Sequence, residues 1–167
     1  VQRTLRFGPA VGQRTVATIF KNIKLDIGAP HQFLDFRFAV TDDHHGEFWL
    51  DHCGALMDAE PMGEDYVRRM CHDIEDPTFD ATAAAIHPCA RIRPVHRPPR
   101  VPADRAPHCH WTAVIDEAAQ PYEQHPNLAL VGSSLLAKID LDDPGSDRQP
   151  GGWEDLGGDV DGNFELE

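Results

Sequence analysis

The stretch FLDFRFAVTDDHHGEFWLDHC, residues Phe33–Cys53, decides the fold. Leu34, Phe36, Phe38 and Val40 fall on one side of an extended chain and Asp35 and Arg37 on the other. That is the period-two pattern of a strand with one buried face. Thr41–Gly46 (TDDHHG) is a polar turn. Glu47–Cys53 alternates again, Phe48/Leu50/His52 against Trp49/Asp51/Cys53, so the two runs predict a β-hairpin.

Upstream, Val11, Val16, Ile19, Phe20 and Ile23 recur near the 3.6-residue period, which predicts an amphipathic helix over Ala10–Lys24. Ile27-Gly28-Ala29-Pro30 ends it. Downstream, Glu60–Gly63 is a break, followed by a helix over Glu64–Asp76 with Val67, Met70, Cys71 and Ile74 as its apolar stripe. Proline restricts the residue before it and lacks an N–H. Asp76-Pro77 is therefore expected to interrupt this helix, which resumes over Thr78–Ala85 at a changed angle. A third strand spans Pro88–His96, carrying Ala90, Ile92 and Val95. Arg97–Pro107, with four prolines, reads as a stiff surface loop. A fourth strand spans His108–Asp116 with Cys109, Trp111, Ala113 and Ile115 on one face, and Asn127–Lys138 reads as a short helix. The order predicts an α+β domain over 1–138: a four-stranded antiparallel sheet with a ββαββ core and helices on one face. An acidic, Gly-rich tail over 139–167, disordered or draped, follows it.

Composition narrows function. The 167 residues carry a formal charge of −13. Ile139–Glu167 holds ten acidic residues against Arg148 alone, so nine of those charges sit in the tail. A phosphate-tracking surface needs clustered Lys and Arg, so nucleic acid is not an expected partner. Neither is an anionic membrane surface, and no apolar run reaches the roughly 18–20 residues of a membrane span. Four cysteines are too few for a disulfide scaffold; reduced cytoplasmic thiols fit better. Residue 1 is Val, which leaves open what precedes it.

The chemistry-bearing residues fall on three elements. Cys53 ends a strand, Cys71 and His72 sit on the central helix, and His108-Cys109-His110 opens the last strand. Zinc takes thiolate, imidazole and carboxylate ligands. Cys53, Cys71, His72, Glu75, His108, Cys109 and His110 are therefore candidate ligands, provided the fold brings them together. Cys71 and Glu75 (i, i+4) or His72 and Glu75 (i, i+3) can share a helix face. In a regular strand His108 and His110 share the face opposite Cys109. The alternative for each thiol is a small buried hydrophobe, the favoured reading for Cys89. Histidines 31, 44, 45, 87 and 125 lie in turns and read as solvated. The basic run Arg91, Arg93, Arg97, Arg100 and Arg105, with His96, offers bidentate forks for a carboxylate, or a partner for the acidic tail. Serine occurs only at 133, 134 and 146, none beside a histidine, so a protein nucleophile would be a thiol.

The run FWLDHCGALMDAEPMGEDYVRRMCHDIEDPTF (48–79), followed by RIRPVHRPPRVPADRAPHCHW (91–111), resembles the L-2-amino-thiazoline-4-carboxylic acid hydrolase-like family. The matching positions are Cys53, Gly63, Cys71 with Asp73, Glu75 and Asp76, and Cys109 with Trp111. The resemblance implies an α+β fold and, for the family's namesake, hydrolytic opening of a small sulfur–nitrogen ring. A more distant similarity, to small-molecule-sensing domains of the vinyl-reductase type, implies a structural zinc held by cysteines and a carboxylate.

Three expectations follow. The first is a hydrolase acting on a C=N or thioester-like carbon, with Cys71 or a metal-bound hydroxide attacking and His72 or Glu75 as general base. Arg91, Arg93, His96 and Trp111 would hold its small, heterocyclic or carboxylate-bearing substrate. The second is a non-catalytic small-molecule-binding or sensing domain with a structural zinc. The third is an interaction subunit whose tail, with Trp153, Leu156, Val160, Phe164 and Leu166 among acids, docks on a second copy or a partner protein.

Overall fold

A computed structural model describes residues 14–24, 26, 29–123 and 133. The expected tail over 139–167 lies outside the described residues, as does the expected helix over 127–138 apart from Ser133. The described chain is α+β. Helix α1 (Val16–Lys24) precedes strands β1 (Leu34–Asp42) and β2 (His45–Cys53). A helical stretch follows: α2 (Gly54–Ala59), a 3₁₀ turn (Glu60–Met62), α3 (Glu64–Arg68), a π-helical segment (Arg69–Ile74) and α4 (Glu75–Ile86). Strands β3 (Ala90–His96) and β4 (Cys109–Ile115) close the order. The sheet runs β1-β2-β4-β3 and every neighbouring pair is antiparallel.

The alternation of Phe33–Cys53 does what a half-buried hairpin requires. Phe36, Phe38, Phe48 and Leu50 are buried, and Trp111, Ala113 and Ile115 of β4 and Ile92 of β3 join them on the same face. Phe48 is at the centre of an aromatic cluster. Its ring centroid lies 5.2 Å from Phe79, 5.8 Å from Phe36, 5.9 Å from Phe20 and 6.2 Å from Trp111. Helix α1 packs Val16, Ile19, Phe20 and Ile23 into this face. Gly46 of β2 permits the close approach: a Cβ there would stand 2.8 Å from both Phe20 and Val16 and 2.9 Å from the Ala39 carbonyl. On the opposite face, Arg37, Trp49, His110 and His96 occupy paired positions across all four strands, on the more exposed side of the sheet.

Three details depart from simple periodicity, and each shapes the site. First, Asp35 pairs with His52 but Phe36 with Leu50, so Asp51 is the extra residue of a bulge. A one-residue insertion flips the side chains beyond it. Hence His52, expected with Phe48 and Leu50, is exposed, and Cys53 turns to the covered face instead. Val95 is likewise skipped in the β3–β4 register, between Pro94↔Trp111 and His96↔His110. It is 55% exposed rather than part of the strand's buried face.

Second, Asp76-Pro77 does not interrupt the helix. α4 begins at Glu75 and runs through Pro77 to Ile86. Proline in a helix clashes with the carbonyl four residues back and withholds a hydrogen bond. The wider i→i+5 turns of the π segment immediately precede this point, and Thr78 Oγ1 donates to the Ile74 carbonyl at 2.7 Å. The widening also shifts the apolar stripe: Val67 and Cys71 are buried, but Ile74 is 58% exposed. Third, β4 begins at Cys109, so His108 precedes the regular strand and escapes its alternation.

Candidate functional site

A cavity of about 230 Å³ lies beneath the covered sheet face. Cys53 reaches it by the Asp51 bulge, Cys71 from the π segment, Glu75 from the start of α4, and Cys109 and Trp111 from β4. His108 lines it too, and so does not share a face with His110 as a regular strand would require. The remaining wall is mostly apolar, including Phe36, Leu50 and Phe79.

Two backbone contacts hold the Cys53 corner. The Cys53 N–H donates to His108 Nδ1 at 3.1 Å, and the Leu56 N–H donates to Cys53 Sγ at 3.3 Å, capping α2. An Nδ1 that accepts from the backbone leaves the proton of a neutral imidazole on Nε2. Burial depresses the His108 pKa, helped by Arg100 and His52, so the ring favours that neutral form.

Burial pushes the Cys71 thiol up to about 12, with Cys53 and Glu75 adding to the rise and the Arg97 guanidinium opposing it. Burial also pushes Cys109 up to about 12, opposed by the Trp111 indole N–H, which donates toward its sulfur. Cys53 is raised by burial, with the Leu56 N–H opposing. At neutral pH all three are thiols, not thiolates. Glu75 is raised by burial and then by Asp76, which makes its carboxyl a better proton acceptor when ionised and keeps it protonated to higher pH than an ordinary carboxyl. The Trp111 indole N–H is buried with no oxygen or nitrogen acceptor among the described residues, and it faces the weakly accepting Cys109 sulfur. A buried donor left wholly unpaired costs roughly 1–3 kcal/mol, and a thiol sulfur offsets only part of that.

The other predicted site residues lie elsewhere. His72 Nε2 meets the Pro98 carbonyl at 2.6 Å, a contact in which the ring nitrogen donates, and its side chain is not part of the cavity wall. His110 faces outward, with Nε2 2.8 Å from a Glu47 carboxylate oxygen and its ring 6.1 Å from that of His96. Arg91 donates to the Pro88, Ala90 and Gln120 carbonyls, and Arg93 grips both oxygens of Asp80. Neither arginine lines the cavity, nor does His96. The basic residues nearer to it are Arg97, paired with Asp76 and 5.9 Å from the centre of the Trp111 ring, and Arg100, paired with both oxygens of Glu60. Of the basic run, each of these four is already engaged, three with carboxylates the sequence places far away.

The helical wall carried a legible signal that the proline obscured. Cys71, Glu75, Thr78, Phe79 and Thr82 recur at steps of four, three, one and three and all line the cavity. Arg97 and Arg100 had no such signal, because their positions depend on Asp76 and Glu60.

The donor set is soft enough for zinc, with three thiols and a carboxylate around one space. As placed, however, no three His, Cys, Asp or Glu side chains among the described residues converge closely enough to hold a metal ion. No described helix is long and apolar enough to cross a membrane. No protein-family model, curated protein or solved structure matches the chain.

Proposed function

We propose that the chain is a small-molecule hydrolase whose site is the thiol-lined cavity. The observation that carries this reading is the meeting of Cys53, Cys71, Cys109, Glu75 and His108 around one space of about 230 Å³. The resemblance of residues 48–79 and 91–111 to the L-2-amino-thiazoline-4-carboxylic acid hydrolase-like family supports the same reaction class.

In this reading the substrate presents a C=N or thioester-like carbon to Cys71 Sγ. A thiol raised to about 12 is a poor nucleophile by itself, so its proton must leave as the new S–C bond forms. Glu75, at i+4 on the same helical face, supplies the relay. Its carboxyl gives a proton to the substrate nitrogen, or to the departing thiolate, and takes the proton of Cys71. Water then cleaves the adduct and returns the thiol. Glu75 replaces His72 in this role, because His72 is turned to the Pro98 carbonyl.

The test is turnover of a panel of cyclic C=N compounds and small thioesters. Cys71→Ser and Glu75→Gln are each expected to lower kcat by about 10²–10⁴-fold. Cys89→Ser, outside the cavity, should leave it unchanged. Retained turnover in Cys71→Ser and Glu75→Gln would show the assignment to be wrong.

A second reading, a non-catalytic binding or sensing domain, is favoured by one specific observation: all three cavity thiols are held neutral. If neither the native chain nor its variants turn over the panel while small molecules still occupy the cavity, this reading replaces the first. A zinc ion retained through purification, whose removal melts the fold, would turn it toward the structural-metal form.

A further inference from the structure

We infer that the cavity selects a small neutral molecule carrying a hydrogen-bond acceptor, which the Trp111 indole N–H receives. The inference rests on the cavity being the ligand site, as proposed above, but not on catalysis there.

Two independent features of the wall support it. The first is Trp111, only 1% exposed, whose Nε1–H is buried, has no oxygen or nitrogen acceptor among the described residues and belongs to a residue of the cavity wall. A buried donor of this kind is satisfied when an entering carbonyl oxygen or ring nitrogen accepts from it. The sulfur of Cys109, in the same wall, is the weak acceptor this N–H faces, and an entering oxygen or nitrogen acceptor would outcompete it. The acceptor would therefore sit beside the thiol cluster rather than at a remote corner.

The second feature is the sign of the charge. Glu75 and Asp26 line the cavity, and no described lysine or arginine does. Arg97 and Arg100 approach it but are committed to Asp76 and Glu60. An anionic ligand would give up its water beside a carboxyl that burial already disfavours ionising, with no cation in the wall to compensate. The carboxylate-bearing substrate expected from the arginine-rich sequence is thus the class this cavity is least suited to hold.

The test is binding to the full 167-residue chain, read without turnover. The probes are cycloheptanone (neutral, one acceptor), cyclohexanecarboxylate (anionic) and cycloheptane (no acceptor). Cycloheptanone should move the Trp111 indole N–H proton resonance downfield and slow N-ethylmaleimide labelling of Cys71 and Cys109. Cyclohexanecarboxylate should bind weaker by on the order of a hundredfold. Trp111→Phe should weaken cycloheptanone by about tenfold and leave cycloheptane unchanged.

The inference is overturned if the carboxylate binds native protein as tightly as the ketone, or if the ketone leaves the Trp111 resonance unmoved. Both comparisons use the native chain, so they stand even if the variant misfolds. Because binding is measured apart from turnover, a chain that holds cycloheptanone but hydrolyses nothing refutes the hydrolase reading alone. One that hydrolyses substrates only when they carry a carboxylate refutes this inference alone.

Discussion

The two ends of the covered sheet face are built from the same strands and solve opposite problems. Under α1 the space is filled: Phe20, Phe38 and Phe48 interlock, and Gly46 brings the helix close enough to leave no gap. Beside the π segment the space is left hollow and lined with Cys53, Cys71, Cys109 and Glu75. Close-packed aromatic surface contributes strongly to stability, whereas a cavity forfeits contacts and a buried carboxyl carries a desolvation cost. The contrast teaches that the first region holds the fold while the second draws on that stability for a site.

The contrast can be broken by substitution. Phe48→Ala, which empties the centre of the aromatic cluster, is expected to cost about 3–5 kcal/mol in urea unfolding, whereas Cys71→Ala on the cavity wall should cost about 1 kcal/mol. Similar losses at the two positions would show that the hollow end is as stability-critical as the filled one.

A smaller effect tests how closely α1 is seated. Gly46→Ala puts a methyl group against Phe20, Val16 and the Ala39 carbonyl, and overpacking of this kind costs about 1–3 kcal/mol. Unchanged stability would mean that α1 can lift off the sheet without loss.

The smallest effect sharpens the polar end. The folded-state pKa of Glu75 lies above the ordinary glutamate value of 4.5, so the folded chain binds this proton more tightly than the unfolded chain. Its favourable contribution is complete below that value and is lost as pH rises through the folded pKa. Glu75→Gln, neutral throughout, should therefore melt higher than the native chain at neutral pH. The gain should close as pH falls toward 4.5. A difference in melting temperature that is constant with pH would place Glu75 outside any desolvated environment.

How far the sequence discloses this molecule follows from where the information sits. Alternation in Phe33–Cys53 and in Cys109–Ile115, and the 3.6-residue spacing of Val16, Ile19, Phe20 and Ile23, are local. Burial of one face is enough to read them, so the hairpin, the α1 helix and the sheet's covered side are legible. The meeting of three thiols depends on space and leaves no local pattern, whereas Cys71 and Glu75 sharing a helix face follows from spacing alone. The reach of Cys53 into the cavity was hidden because one extra residue, Asp51, reverses the facing that simple alternation assigns. Regular alternation would set His108 beside His110, and it does not apply because the strand starts one residue later than its apolar pattern implies. The arginines misled because their charge is visible in sequence while their partners, Asp80, Asp76 and Glu60, become neighbours only on folding.

The amino-acid sequence alone determined the layered α+β plan, because hydrophobic periodicity acts through neighbours along the chain. Tertiary structure alone decided which polar groups look inward. A bulge, a π turn before Pro77 and long-range ion pairs rotate or occupy side chains without changing the pattern in which they are written.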